Sequence, residues 1–238
     1  MRFLSSRGEG HLCCVMNYVF HFGVVWDHWS DLAGGAWLTI RLSTLAIVLG
    51  LALSIAGAYA KVNGARALRW LVGAYVETIR NTPFLVQIFI IYFSLPSLGL
   101  RLEANEAALA AMAINFGAYG TEIVRAGIEA VGQGQVEAAH ALGLTRLQTF
   151  RFVILFPAVK TVFPALASQF VLMMLGSSIV SAISAVELTA VTNTLQSTTF
   201  RSFEFYFVTT AIYLAMALGF RAVLGAIYWL VFRRNRPA

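Results

Sequence analysis

The residues equipped for chemistry are few, and the charged ones stand in pairs. Glu77 and Arg80 lie three apart inside an apolar stretch, and Glu122 and Arg125 repeat that spacing inside another. On a helix, residues three apart share a face, so each pair can neutralise itself or offer opposite charges to a zwitterion. Ionisable groups set in apolar sequence are costly and tend to be functional. Gln87, Asn115, Ser177 and Ser178 add hydrogen-bonding groups to the same stretches. Thr82-Pro83 should interrupt a helix there, freeing carbonyls that lipid depth tolerates only beside protein or a cavity. Two readings stay open. Either these groups tie helices together, or they form a path in which Glu77 or Glu122 meets an ammonium group and an arginine meets a carboxylate.

Bond-making chemistry finds little support. No Asp follows Asp31, and the four histidines lack ligand spacing and avoid the apolar runs. Cys13 and Cys14 are adjacent, so they make neither a disulfide framework nor a spaced metal site. No Gly-x-x-x-x-Gly-Lys-Ser/Thr loop occurs, so the chain has no usual means of binding ATP. Neither a catalytic site, a metal site nor a bound cofactor is expected.

The elements that must hold these residues follow from composition. Of 238 residues, 59% are hydrophobic and 12% charged, against roughly 25% charged in a soluble domain. Such a chain cannot cover a water-facing surface; it belongs in a lipid bilayer. The apolar runs are continuous and far longer than the ~10-residue alternating strands of a membrane barrel. At ~20 residues per helical crossing, five transmembrane helices are expected, over 36–60, 70–95, 107–128, 158–186 and 205–232. Residues 16–35 read as an amphipathic lead-in, 1–15 as a disordered or over-extended stretch with Met16 a candidate start, and 233–238 as a basic tail.

The net charge of +6 matters by position, not as a sign of nucleic acid. Lys61, Arg66 and Arg69 follow the first run; Arg146 and Arg151 precede the fourth, with Lys160 at its entry; Arg233, Arg234 and Arg236 close the chain. The intervening loops hold Arg101 and Arg201, each balanced by acids: Glu103 and Glu106, then Glu187 and Glu204. The positive-inside rule puts the C-terminus in the cytoplasm and the N-terminus outside.

One connection, 130–157, is long enough for structure of its own. Glycines bound a run of good helix formers over 135–142, with Glu137 expected in the first turn to complement the helix dipole. Gly143 suits a left-handed C′ position. Thr145 and Gln148 have capping-box spacing, heading a second short helix that Pro157 should end at the turn into the fourth span. Ala138, Ala139 and Ala141 allow close approach, while Leu142, Leu144, Leu147 and Phe150 supply apolar anchors. The physics allows a helix that docks in a partner's groove or a hairpin lying on lipid headgroups.

At these residues the chain resembles a known family. Glu137-Ala138-Ala139, then Gly143, then Ile154-Leu155-Phe156-Pro157 is similar to the cytoplasmic EAA signature of permease subunits of ABC importers. Phe156 departs from a pattern that often runs straight into Leu-Pro. The stretch from Glu77 to Gln87, that from Ala118 to Ile128, and that from Thr199 to Tyr206 resemble the polar amino acid uptake branch, which serves histidine, glutamine or arginine. Where many members carry a charged or polar pair in the fourth helix, this chain reads Leu175-Gly176-Ser177-Ser178.

The resemblance implies an all-α, type I ABC importer permease fold. It implies that Glu137, Ala138, Ala139, Leu142, Gly143, Leu144 and Pro157 engage an ABC ATPase, which holds the ATP and Mg. It also implies a second permease subunit, identical or homologous, and an extracytoplasmic amino-acid-binding protein. An ion-coupled secondary transporter is the alternative, for which no convincing internal repeat exists.

Overall fold

A computed structural model describes residues 18–233, and no strand occurs among them. The expected stretch 1–15, the start at Met16 and the tail beyond Arg233 lie outside the described residues. In chain order the helices are α1 (Gly23–Asp27), α2 (Trp29–Asn63), α3 (Arg66–Arg80), α4 (Phe84–Ser94) and α5 (Ala104–Glu129). Then follow α6 (Gln133–Ala141), α7 (Arg146–Gln148), α8 (Leu155–Gly176), α9 (Leu188–Thr199) and α10 (Ser202–Tyr228).

Four stretches are long and apolar enough to cross a membrane: Trp29–Asn63, Ala104–Glu129, Arg146–Ile183 and Ser202–Phe232. The expected second span is a pair of helices, Arg66–Arg80 and Phe84–Ser97, bent by 110°. Five spans result when that pair counts as one. The first span starts earlier than its apolar run, because Asp31 falls in the first turn of α2, where a carboxylate complements the helix dipole.

The centre of the bundle is α5, against which α2, α3, α4 and α8 all pack. Its Ala108, Ala111, Met112 and Phe116 meet Leu42 and Ala46 of α2, Ile88 of α4 and Met173 of α8 in one buried cluster. Lipid supplies little hydrophobic drive between helices, so close backbone approach through small residues does that work. At the α2–α5 crossing a Cβ added to Gly50 would lie 2.8 Å from Phe116 Cβ, and one added to Gly120 would lie 2.1 Å from Ser54 Oγ.

A second cluster joins α2, α9 and α10 through Leu32, Leu188, Leu195 and Phe205. Glu187, expected as a loop acid balancing Arg201, is instead fully buried here. It caps α9, accepting from the Ala190 N–H at 2.8 Å and the Tyr213 hydroxyl at 2.5 Å. Burial without a cation is tolerable because each oxygen has a donor. Glu204 is also buried: it accepts from the Tyr18 hydroxyl and the His21 N–H, and pairs with Arg201 at 3.6 Å, strapping the N-terminal segment to α10.

Overpacking the α2–α5 crossing should be costly. Gly50→Val is expected to destabilise the chain by about 2 kcal/mol, read as a lower Tm in detergent; an unchanged Tm contradicts the close approach.

Candidate functional site

Two regions combine irregular backbone with polar or unpacked side chains. The first surrounds α6. This helix begins at Gln133, before the expected 135, so exposed Glu137 stands in the second turn and not the first. Its role as a dipole partner is therefore corrected. At the other end Gly143 has φ +79°, a conformation that glycine adopts without strain. The Gly143 N–H donates to His140 O at 2.9 Å and the Leu144 N–H to Ala139 O at 3.1 Å. Those are the two bonds of a Schellman turn.

The capping box after it also forms: the Thr145 N–H donates to Gln148 Oε1 at 2.9 Å, and the Gln148 N–H to Thr145 Oγ1 at 3.4 Å. The helix it starts is not a separate short one, however. α7, a π-turn over Thr149–Ile154 and α8 run on as a single helix, Arg146–Ile183. Pro157 thus sits inside this helix and does not mark a turn. The π-turn changes the hydrogen-bond register just before the position where proline brings no donor.

α6 packs on that π-turn. Ala139 is buried and Val136 and Leu144 half-buried, while Glu137, Ala138, Leu142 and Leu147 face outward. Leu142 is 80% exposed and Leu147 75%. Burying a leucine side chain is worth about 1.5–3 kcal/mol, so Leu142 at the turn and Leu147 in the capped α7 beyond it form an apolar ledge that favours a covering surface.

The second region is the broken span. The break at Asn81–Pro83 leaves carbonyls without helical donors, and one side chain answers two of them. Gln87 Nε2 lies 2.7 Å from Ile79 O, 3.0 Å from Thr82 O and 2.9 Å from Thr82 Oγ1. Asn115 of α5 donates to Gln87 Oε1 at 2.9 Å and fixes the amide's orientation. Beside this network lies a cavity of about 280 Å³ lined by Thr82, Phe84, Asn115, Tyr119, Gln169 and Leu172, among others. The Arg80 guanidinium stands 5.5 Å from the centroid of the Tyr119 ring, placing a positive charge at the cavity's edge.

The structure therefore gathers Arg80, Thr82, Gln87 and Asn115 and leaves the other path residues apart. Glu77 does not pair with Arg80; it accepts from Asn81 at 3.0 Å. Glu122 is held by Lys61 and by Arg125, the latter at 2.8 Å, joining α2 to α5. Ser177 and Ser178 donate to Met174 O and Leu175 O of their own helix at 2.6 and 2.9 Å. Tyr119 and Gln169 escaped notice in the sequence. Their signal was helical spacing, since Tyr119 lies four residues after Asn115 on one face of α5.

With that geometry in hand, the comparisons decide the family. Residues 35–236 match the model of the binding-protein-dependent transport system inner membrane component. The chain belongs to this family. It is 37% identical to the L-cystine transport system permease protein TcyB of Bacillus subtilis (strain 168), over 69% of this chain and 73% of that one. It is 34% identical to the octopine transport system permease protein OccM of Rhizobium meliloti, over 89% of this chain and 90% of that one. Among solved structures, that of an amino acid ABC transporter with histidines superposes with a TM-score of 0.84 at 36% identity, covering 90% of this chain and all of the other.

Membership makes the protein a multi-pass permease of the bacterial inner membrane with the type I importer fold. It leaves the ion-coupled alternative without support.

If the amide network holds the bend, Gln87→Leu strands the carbonyls of Ile79 and Thr82. The expected cost is about 1–3 kcal/mol, measured as a lower Tm of the purified permease; an unaltered Tm contradicts that role.

Proposed function

We propose that this permease carries a polar or charged amino acid inward by alternating access, using ATP hydrolysed by separate subunits. The reading rests on the exposed ledge formed by Leu142 at the end of α6 and Leu147 in α7, which the described residues leave uncovered, and on relatives named for cystine, octopine and an amino acid. α6 enters a cleft of an ABC ATPase, with Glu137, Ala138 and Ala139 along the helix and Leu142, Gly143 and Leu144 at its turn. ATP and Mg belong to that partner. A second permease subunit, the same or homologous, encloses the path, and an extracytoplasmic amino-acid-binding protein delivers the substrate.

In this reading the α6 face lies in the cytoplasm and the N-terminus outside. Lys61, Arg66, Arg69, Arg146, Arg151 and Lys160 then share the cytoplasmic side, as the distribution of basic residues requires. Closure of the ATPase pair moves α6 as a rigid lever. Because α6 leans on the π-turn that begins the long fourth helix, its motion passes into α8 and swings the path from inward-open to outward-open. The cavity of Thr82, Asn115, Tyr119 and Gln169, with Arg80 at its edge, forms the wall of that path.

Gly143→Val tests the lever. A β-branched residue at φ +79° costs about 1–2 kcal/mol, enough to displace the turn while leaving the spans intact. Membrane vesicles are expected to contain normal amounts of the variant, to hydrolyse ATP, and to take up labelled amino acid roughly tenfold more slowly. Normal uptake by a well-inserted variant refutes the reading.

A further inference from the structure

α10 carries a charge that the path described so far does not use. Arg221 is the one ionisable side chain with a permanent charge between Glu204 and Arg233. At 1.5 Å per residue it lies about 10 Å along the helix from Tyr228 and Trp229, aromatic residues of the type that settle at the membrane interface. Among the described residues it makes no ion pair. A guanidinium at that depth costs at least about 2.5–3.5 kcal/mol unless it has water or an anion.

Several carboxylates in and beside the spans are already engaged: Glu122 by Lys61 and Arg125, Glu129 by Arg125, Glu77 by Asn81, Glu187 by Ala190 and Tyr213, Glu204 by Tyr18, His21 and Arg201. Arg221 instead lines a cleft of about 540 Å³ between α8 and α10, with Ser168, Leu172, Leu224, Gly225 and Tyr228. Leu172 is also a wall of the cavity that holds Thr82, Asn115 and Gln169, so the two spaces share one side chain of α8. Ser168 and Gln169, neighbours in sequence, each face one of them.

We propose that Arg221 takes the carboxylate of the transported amino acid in the α8–α10 cleft, as a second station on the same path. The assignment rests on the importer reading above. The planar fork of arginine matches a carboxylate with two parallel bonds. The Ser168 hydroxyl, whose proton goes to Pro164 O at 3.1 Å, keeps its lone pairs for an ammonium group. Ala167 and Gly225 in the cleft leave room for a small solute beside the charge.

The test uses the whole importer, permease with ATPase and binding protein, reconstituted in phosphatidylethanolamine vesicles with or without phosphatidylglycerol. Labelled cystine, histidine, glutamine and octopine first identify a transported compound. For that compound, Arg221→Gln is expected to raise KM at least about tenfold, through loss of the charge-assisted pair of hydrogen bonds, with Arg221→Lys between it and the wild type. Both effects should be independent of phosphatidylglycerol. If Arg221→Gln fails to assemble, the smaller KM rise of Arg221→Lys carries the test. An unchanged KM in the assembled variants overturns the assignment. So does loss of bound phosphatidylglycerol by native mass spectrometry with KM unchanged, which gives the site to lipid. If the wild type takes up none of the four while ATP turnover proceeds, the amino acid reading fails first and this assignment falls with it.

Discussion

In hydrocarbon a backbone carbonyl without a donor costs several kcal/mol, and that constraint decides where this chain is able to bend. The break between α3 and α4 exists because the Gln87 amide reaches back to Ile79 and Thr82 and because Asn115 holds it there. The same residues open a cavity, since a span that turns by 110° leaves a gap no straight helix would fill. Polar groups gathered to satisfy the backbone thereby become part of the wall of that cavity.

Outside the bilayer the constraint relaxes, and the chain uses a different device. The bend at Gly143 closes on its own main chain, with the bonds to His140 O and Ala139 O, so α6 needs no side chain to hold its direction. The outward leucines beside it, Leu142 at its end and Leu147 in α7, are left uncommitted. The inner face of α6, through Ala139, rests on the π-turn that feeds directly into α8. No break in the helix lies between that π-turn and the fourth span, whereas a separate second helix ending at Pro157 would have introduced one.

Much of this was legible in the residues themselves. Apolar run lengths located the spans, the glycine at 143 and the Thr145–Gln148 spacing located the turn and the cap, and Thr82-Pro83 located the break. What escaped depended on three-dimensional neighbours. Three-residue spacing suggested an ion pair at Glu77 and Arg80, but Asn81 and the Tyr119 ring compete for the two charges. Lys61 joins Glu122 from a helix 61 residues away in sequence. Glu187 and Glu204 looked like loop acids because nothing in a linear reading announces a tyrosine folding over them. Pro157 looked like a stop because a π-turn has no sequence signature as plain as glycine's.

The contact proposed between the ledge of Leu142 and Leu147 and a nucleotide-hydrolysing subunit couples the spans to their energy source. Leu142→Cys in an otherwise cysteine-free permease, carrying a photoreactive benzophenone maleimide on that thiol in native membranes, tests it most directly. A photocrosslinked species of permease plus ATPase, changing in yield when ATP is added, is the predicted result. Labelling of the introduced thiol by a membrane-impermeant reagent from outside intact cells, or crosslinking to lipid alone, would contradict it.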